Sequence, residues 1–187
     1  MLTKEELLQN ISECVFECAC LPVQEIPFSY EVVKACEKNY CGKYAKTWTC
    51  PPGIGSFDTV KQNCMLYQNA VVFTTCHTLE DSFDIDGMNE AREKHEKITD
   101  KVEELFIGQT IKAMSAKSCS LCTKCTYPTS PCRFPEKIRS TVEANGISVV
   151  DLAKKCGIKY NNGPNTVTYF SVILYGKEEK NKKEEIK

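Results

Sequence analysis

The chain has 187 residues, 42% of them hydrophobic, and its formal net charge is -1. This length suits one compact core better than two full-sized domains, so we predict a single domain over residues 1–187. The balanced charge argues against nucleic acid as a partner, because phosphate backbones attract proteins with a basic excess. No stretch approaches the ~20 apolar residues that span a bilayer. The start of the chain, MLTKEELLQN, lacks the basic end and apolar run of a secretory signal. We therefore expect a cytoplasmic protein without a membrane partner.

Helices and strands are predicted in turn along the chain. Thr3 and Glu6 form a capping-box pattern, and the apolar spacing that follows predicts a helix ending near Cys18. A short helix capped at Ser56 or Asp58 precedes a buried strand in the stretch NAVVFTTC. The next apolar stripe predicts a long helix from Asp84 or Asp86 to about Ser118.

The last third of the chain completes the predicted fold. Ser148 and Gly157 are placed to begin and end a short helix, and NTVTYFSVILYG is the strongest strand signal in the sequence. Mixed-sign charge at 177–187 predicts a solvated tail. We predict an α+β fold in which helices cover a small mixed sheet. Two cysteine-rich loops, 36–55 and 119–135, are expected at one edge of that sheet.

Cysteine is the most informative residue type, with 13 in the chain against two histidines, His77 and His95. A reducing cytosol keeps thiols free, and cysteine-dense proteins there usually hold metal or carry out redox chemistry. Two histidines are too few for sites that need several imidazoles, so thiolates would supply most of the ligands. No phosphate-binding loop and no nucleophile elbow is present, and the sequence leaves open whether the protein is an enzyme.

The 119–135 loop carries the best-defined site. Cys119, Cys122 and Cys125 follow one another at three-residue steps, which resembles the start of the bacterial ferredoxin run C-x2-C-x2-C. Cys132 comes after six further residues, where that run has three, so it either completes this site or reaches a second one. We predict a [4Fe-4S] cluster whose potential is tuned by Arg133 and its surroundings. A structural zinc is the alternative, since four thiolates satisfy tetrahedral zinc.

The 36–55 loop holds Cys36, Cys41 and Cys50 at a spacing that matches no ligand pattern. Its glycines and prolines, and its lack of aliphatic residues, indicate a site that needs something else to hold it. Lys43 and Trp48 lie between these cysteines, where they would balance the charge of a cluster and shield it from water. The alternative is three free buried thiols.

Two questions about this second group stay open at the level of sequence. The first is whether the protein binds one iron-sulfur cluster or two. If two, the fourth ligand of the second cluster is Cys132, Cys64 or a non-protein group, and the last case would leave one iron open to a substrate.

Two blocks of sequence resemble a cysteine-rich family of unknown function, described as predicted metal-binding proteins of the iron-sulfur type from anaerobic bacteria and archaea. The blocks contain Trp48, Cys50, Pro51 and Pro52 in the first, and Cys119, Cys122, Cys125, Tyr127, Pro128, Cys132, Arg133 and Pro135 in the second. The chain departs from the family in its extra cysteines Cys14, Cys18 and Cys20, and in Thr141-Val142 where Ser-Met is expected. The resemblance implies metal binding and names no reaction.

We therefore predict an iron-sulfur protein that serves a redox partner protein, for example by electron transfer. One alternative is an enzyme that uses an open iron as a Lewis acid on a small anionic substrate, most naturally at the Cys36 group. Another is an interaction module stabilised by zinc, without redox chemistry.

Overall fold

The computed structural model describes residues 3–177. The helices are α1 (Lys4–Ser12), α2 (Tyr30–Glu37), α3 (Phe57–Cys64), α4 (Ile85–Glu104) and α5 (Val149–Cys156). The strands are β1 (Glu17–Pro22), β2 (Asn69–Thr78), β3 (Lys112–Ser115), β4 (Ser140–Thr141) and β5 (Thr166–Tyr175). Short 3-10 turns occupy Val23–Glu25 and Glu143–Asn145. The predicted charged tail lies, except for Lys177, outside the described residues.

The five strands form one mixed sheet in the order β1-β2-β5-β3-β4. Its long central pair, β2 and β5, is antiparallel and continuous from Asn69 opposite Tyr175 to Thr78 opposite Thr166. Only the edge pair β3 and β4 is parallel. The predicted α+β fold with a small mixed sheet is confirmed.

Helices cover both faces of the sheet. One face packs α3 and α5 against strand residues such as Val72, Val172 and Leu174, and the other packs α1 and α4 against Phe73 and Ile173. The side chains of successive residues point to opposite faces of a strand, so β2 and β5 need apolar residues on both sides. That requirement explains their nearly continuous apolar sequences.

Two predicted helix ends are wrong. The first helix ends at Ser12, and Cys18 lies in β1, because pairing with β2 overrides a helical spacing of apolar residues that a strand also accommodates. The long helix ends at Glu104, and β3 follows. Gly108, with a φ of 83°, turns the chain between the two elements.

The parallel pair β3 and β4 fixes both ends of the 119–135 loop, which leaves the sheet after Ser115 and returns at Ser140. Arg139 holds the returning end against α4 through ion pairs with Glu96 at 2.9 Å and Glu103 at 2.6 Å. The Arg139 side chain is only 19% exposed, so these contacts are partly shielded from water. Both ends of the 119–135 loop are therefore held at the edge of the sheet.

A chain of hydrogen bonds links His95 of α4 to His77 of β2. His95, which is fully buried, bonds Thr75 Oγ1 through Nδ1 at 2.9 Å and Ser171 Oγ through Nε2 at 2.8 Å. His77 Nε2 bonds the same Thr75 hydroxyl at 2.9 Å. The neutral imidazole of His95 can donate one of its two bonds and accept the other, which a charged ring cannot do. Burial accordingly lowers the pKa of His95 to about 4.

The first prediction concerns acid stability. His95 has an ordinary pKa of 6.5 and a folded value of about 4, so between these pH values the unfolded chain binds a proton that the folded protein does not. The stability due to neutral His95 is therefore complete above pH 6.5 and declines as the pH falls toward 4. Between pH 7 and pH 5 the loss should be about 2 kcal/mol.

Urea unfolding at both pH values, for the parent and His95→Gln, measures this loss. The variant should be less stable at pH 7 but should show a smaller decline on acidification. His77→Gln is the control, because His77 is only partly buried, and it should keep most of the decline. An equal decline in the parent and His95→Gln would disprove the assignment to His95.

Candidate metal centre

The cysteines of the 119–135 loop all turn inward. Cys119, Cys122, Cys125 and Cys132 are half-buried, whereas intervening residues such as Lys124 are exposed. The loop has no regular secondary structure, so the inward direction comes from its own turns. This alternation directs four thiols to the inside of one loop.

Polar contacts shape the loop from within. Thr126 Oγ1 donates a hydrogen bond to the carbonyl of Pro131 at 2.9 Å, and Ser130 donates its N–H to the carbonyl of Thr126 at 3.1 Å. Arg133 folds back over the loop, where its Nη1 donates to the Lys124 carbonyl at 3.0 Å. These bonds hold the segment that carries Cys125 and Cys132 in a closed turn, with the positive charge of Arg133 beside it.

The four cysteines line one cavity. Trp48 and Phe134 complete much of its apolar wall, and no carboxylate or histidine lines it. Its volume is about 20 Å³, which is room for about one water molecule. Cys132 lies with the other three cysteines and does not line the cavity of the 36–55 loop.

The 36–55 loop starts at the last turn of α2, which carries Cys36. Asn39, with a φ of 54°, turns the chain away from the helix, and its side-chain oxygen accepts the N–H of Tyr44 at 3.0 Å. Asparagine tolerates this left-handed conformation better than most residues. The turn leaves Cys41 exposed and returns Cys50 to a buried position.

Cys36, Cys41 and Cys50 line a second and much larger cavity of about 510 Å³. Burial, with smaller contributions from the neighbouring Glu143, Cys41 and Cys50, raises the pKa of the Cys36 thiol to about 11. Burial also raises the pKa of Cys50, against a hydrogen bond from Thr47 and the charge of Lys43. Cys36 is therefore protonated at neutral pH until a cation stabilises its thiolate.

The two loops pack directly against each other. The Trp48 ring meets the Tyr127 ring edge-on, with centroids 4.9 Å apart, and Trp48 Nε1 donates to the Ser130 carbonyl at 3.1 Å. Gly53 lies so close to Tyr127 that an added Cβ would sit 2.8 Å from the ring. The expectation that both loops meet at one edge of the sheet is confirmed.

The short segment from Thr47 to Cys50 separates the two cavities. Thr47, Trp48 and Thr49 line the cavity of the Cys119 loop, and Cys50 lines the other. Trp48 was expected to shield the Cys36 group, but it covers the opposite set of thiols. A cluster in either cavity would therefore lie against the same strip of backbone.

The two predicted basic residues, Lys43 and Arg133, line different cavities. Lys43 lines the larger cavity, as expected for a residue that balances charge there. Arg133 lines the smaller one. Sequence reasoning missed Arg92 of α4 and Glu143 of the 3-10 turn, which both line the larger cavity. No sequence signal could have identified them, because each looks like an ordinary exposed charge of a helical segment.

Other cysteines lie apart from the two cavities. Cys64, the last residue of α3, is fully buried in the core, where it packs as a small apolar residue. Cys14, Cys18 and Cys20 lie together beside α1, and burial raises the pKa of each. Neither group lines the cavities of the cysteine loops.

The donor chemistry of both cavities suits a metal that prefers sulfur. Within residues 3–177, no three cysteine, histidine or acidic side chains converge closely enough to hold a single ion as they stand. The smaller cavity nevertheless presents four thiols and no oxygen or imidazole ligand, which is the donor set of thiolate-bound zinc and iron-sulfur sites. A group larger than one water molecule requires the exposed Cys119 loop to open outward around it.

Fold and site together define a cysteine-rich α+β protein with two thiol-lined cavities that share a wall. Residues 19–175 match the family described as "Predicted metal-binding protein (DUF2284)", and the chain belongs to that family. No curated protein and no solved structure matches the chain. In the described part, no helix combines the length and apolar character needed to cross a membrane.

The second prediction tests the junction between the loops. Trp48→Ala should reduce the free energy of unfolding by about 2 kcal/mol, less than for a fully buried tryptophan because Trp48 is half-buried. Trp48→Phe keeps an aromatic contact with Tyr127 and should lose only the hydrogen bond to Ser130, about 1 kcal/mol. Chemical denaturation under anaerobic conditions measures both values.

Tyr40→Ala is the matched control, since it also removes an aromatic ring from the 36–55 loop. Tyr40, however, is 90% exposed. The substitution should change stability by less than about 0.5 kcal/mol. If Trp48→Ala were as mild as Tyr40→Ala, the loops would not depend on each other for stability.

Proposed function

We propose that the protein binds an iron-sulfur cluster of the [4Fe-4S] type through Cys119, Cys122, Cys125 and Cys132. The observation that carries this proposal is the common cavity lined by all four thiols. Three of them follow the ferredoxin-like spacing, and the fourth comes from the far end of the same closed turn. A loop with so little apolar content of its own gains its order from the group that it surrounds.

Ligand chemistry favours iron-sulfur over zinc. A structural zinc draws four sulfurs to about 2.3 Å from one point, and such sites are usually built from two separated C-x2-C pairs. Here Cys122 is shared between two consecutive three-residue steps, which is the spacing by which one loop surrounds a cluster. Zinc remains the competing metal in the test below.

The surroundings of the cavity suit redox service to a partner protein. Leu121 and Phe134 line the cavity and are also 49% and 38% exposed, so the site lies close to the protein surface. A bound cluster would supply one-electron chemistry. With a cluster bound, Trp48 would exclude water from one side of it. Arg133, which holds the loop through the Lys124 carbonyl, would place a positive charge that favours the reduced cluster. Electron transfer to a docked protein is the simplest use of such a site.

A second candidate function is supported by the larger cavity. Cys36, Cys41 and Cys50 line about 510 Å³ of space, a volume typical of small-molecule sites. Three thiols leave one ligand position of a four-iron cluster unfilled by this group. The second candidate is therefore an enzyme in which an open metal position acts on a small anionic substrate.

The third prediction tests the metal directly. Protein purified without oxygen should contain iron and acid-labile sulfide in near-equal amounts, with little zinc, as thiolate ligands in this spacing require. Cys122→Ala should lose most of the iron assigned to the Cys119 loop and should unfold at a lower temperature, because the cluster contributes to folding. Elemental analysis and thermal unfolding measure both effects.

Cys64→Ala is the matched control, since Cys64 is a fully buried thiol outside both cavities. It should keep its iron and lose about 1 kcal/mol of stability from packing alone. Stoichiometric zinc without sulfide, in protein never exposed to air, would refute the iron-sulfur proposal. Equal loss of iron in both variants would refute the ligand assignment.

A further inference from the structure

The larger cavity is lined by both apolar and charged residues. Val32 and Ala35 of α2, together with Ala116 and Ala144, give it apolar walls, and Tyr44 adds an aromatic side. Its volume of about 510 Å³ is far more than three cysteine ligands need for themselves. A molecule that fills the remaining space needs an apolar part to match these walls.

Two positive charges enter the cavity from different elements. Lys43 comes from the 36–55 loop and Arg92 from α4. Among residues 3–177 neither forms an ion pair, and Arg92 donates a hydrogen bond only to the side-chain oxygen of Asn89. Arg139, by contrast, is paired with three carboxylates of α4. The charges of Lys43 and Arg92 are therefore available to a ligand.

The balance of charge in the cavity selects a monoanion. Glu143 is the only carboxylate among the lining residues, so the lining carries one more positive than negative side chain. A doubly charged phosphate would exceed that balance and would meet apolar walls. A carboxylate fits it, because the planar guanidinium of Arg92 can donate two parallel hydrogen bonds to the two oxygens.

We propose that this cavity binds a small organic carboxylate, with its carboxyl group held by Arg92 and Lys43 and its apolar body packed against α2 and Tyr44. A small organic carboxylate would be the substrate class of the second proposed function. Its role as a substrate rests on that function. Its binding step requires only residues of the chain. The competing explanation is that Lys43 and Arg92 merely offset the negative charge of metal-bound thiolates.

Benzoate is the probe, because it joins one carboxylate to an apolar ring. Titration calorimetry on anaerobically purified protein should give a Kd on the order of 1 mM or tighter. Acetate lacks the apolar body, benzyl alcohol lacks the charge, and inorganic phosphate lacks the apolar body and the planar carboxylate. Each should bind at least about tenfold more weakly than benzoate.

Matched variants separate a specific site from general electrostatics. Arg92→Gln should weaken benzoate binding at least about tenfold, and Lys43→Gln about fivefold. Lys94→Gln removes the same charge from α4 at a residue that lines a different groove, and Lys46→Gln does so in the 36–55 loop. Both controls should bind benzoate like the parent. Lys43 is exposed, so Lys43→Gln keeps the test valid if Arg92→Gln fails to fold.

Iron is measured on the same samples, which keeps the two proposals apart. Weaker benzoate binding at unchanged iron content supports the carboxylate site. Loss of iron together with loss of binding in Arg92→Gln identifies charge compensation and overturns it. It is also overturned if the parent does not bind benzoate, if phosphate binds as tightly, or if Lys94→Gln matches Arg92→Gln. Benzoate binding with the expected variant pattern in protein that takes up no iron would sustain this inference and refute the proposed cluster.

Discussion

The contact between Trp48 and Tyr127 joins the two cysteine loops to each other. Each loop is rich in cysteine, proline and exposed polar residues, and neither contributes much to the two cores on either side of the sheet. Trp48 reaches into the 119–135 loop, where it makes both a ring contact with Tyr127 and a hydrogen bond to the Ser130 carbonyl. Because the segment from Thr47 to Cys50 lines both cavities, this contact also sets how the two groups of thiols face each other.

The sheet provides the rigid support that these loops lack. β3 and β4 clamp the ends of the 119–135 loop, and Arg139 anchors the returning strand to α4. α4 in turn brings Arg92 to the larger cavity, about one to three helical turns before the three carboxylates that pair with Arg139. The same helix therefore positions the return of one cysteine loop and a charged residue beside the other. A metal bound between such supports would order the loops without carrying the whole fold.

Helix caps and the most apolar strand could be predicted from the sequence. The caps at Ser56, Ser148 and Gly157 and the apolar strand near Val172 are all found as predicted, because each depends on neighbours close in the chain. The end of the first helix was not, since the apolar spacing around Cys18 fits a strand equally well and pairing with β2 decides between them. Arg92 could not be identified at all, because only the tertiary fold brings α4 to the cavity of the 36–55 loop.

The central claim is that Cys119, Cys122, Cys125 and Cys132 surround one iron-sulfur cluster. Anomalous X-ray diffraction from crystals grown without oxygen, recorded on both sides of the iron and zinc absorption edges, tests it most directly. The account predicts a compact group of iron scatterers enclosed by these four sulfurs, with no zinc signal there. A single zinc peak between them, or iron located only elsewhere in the molecule, would contradict it.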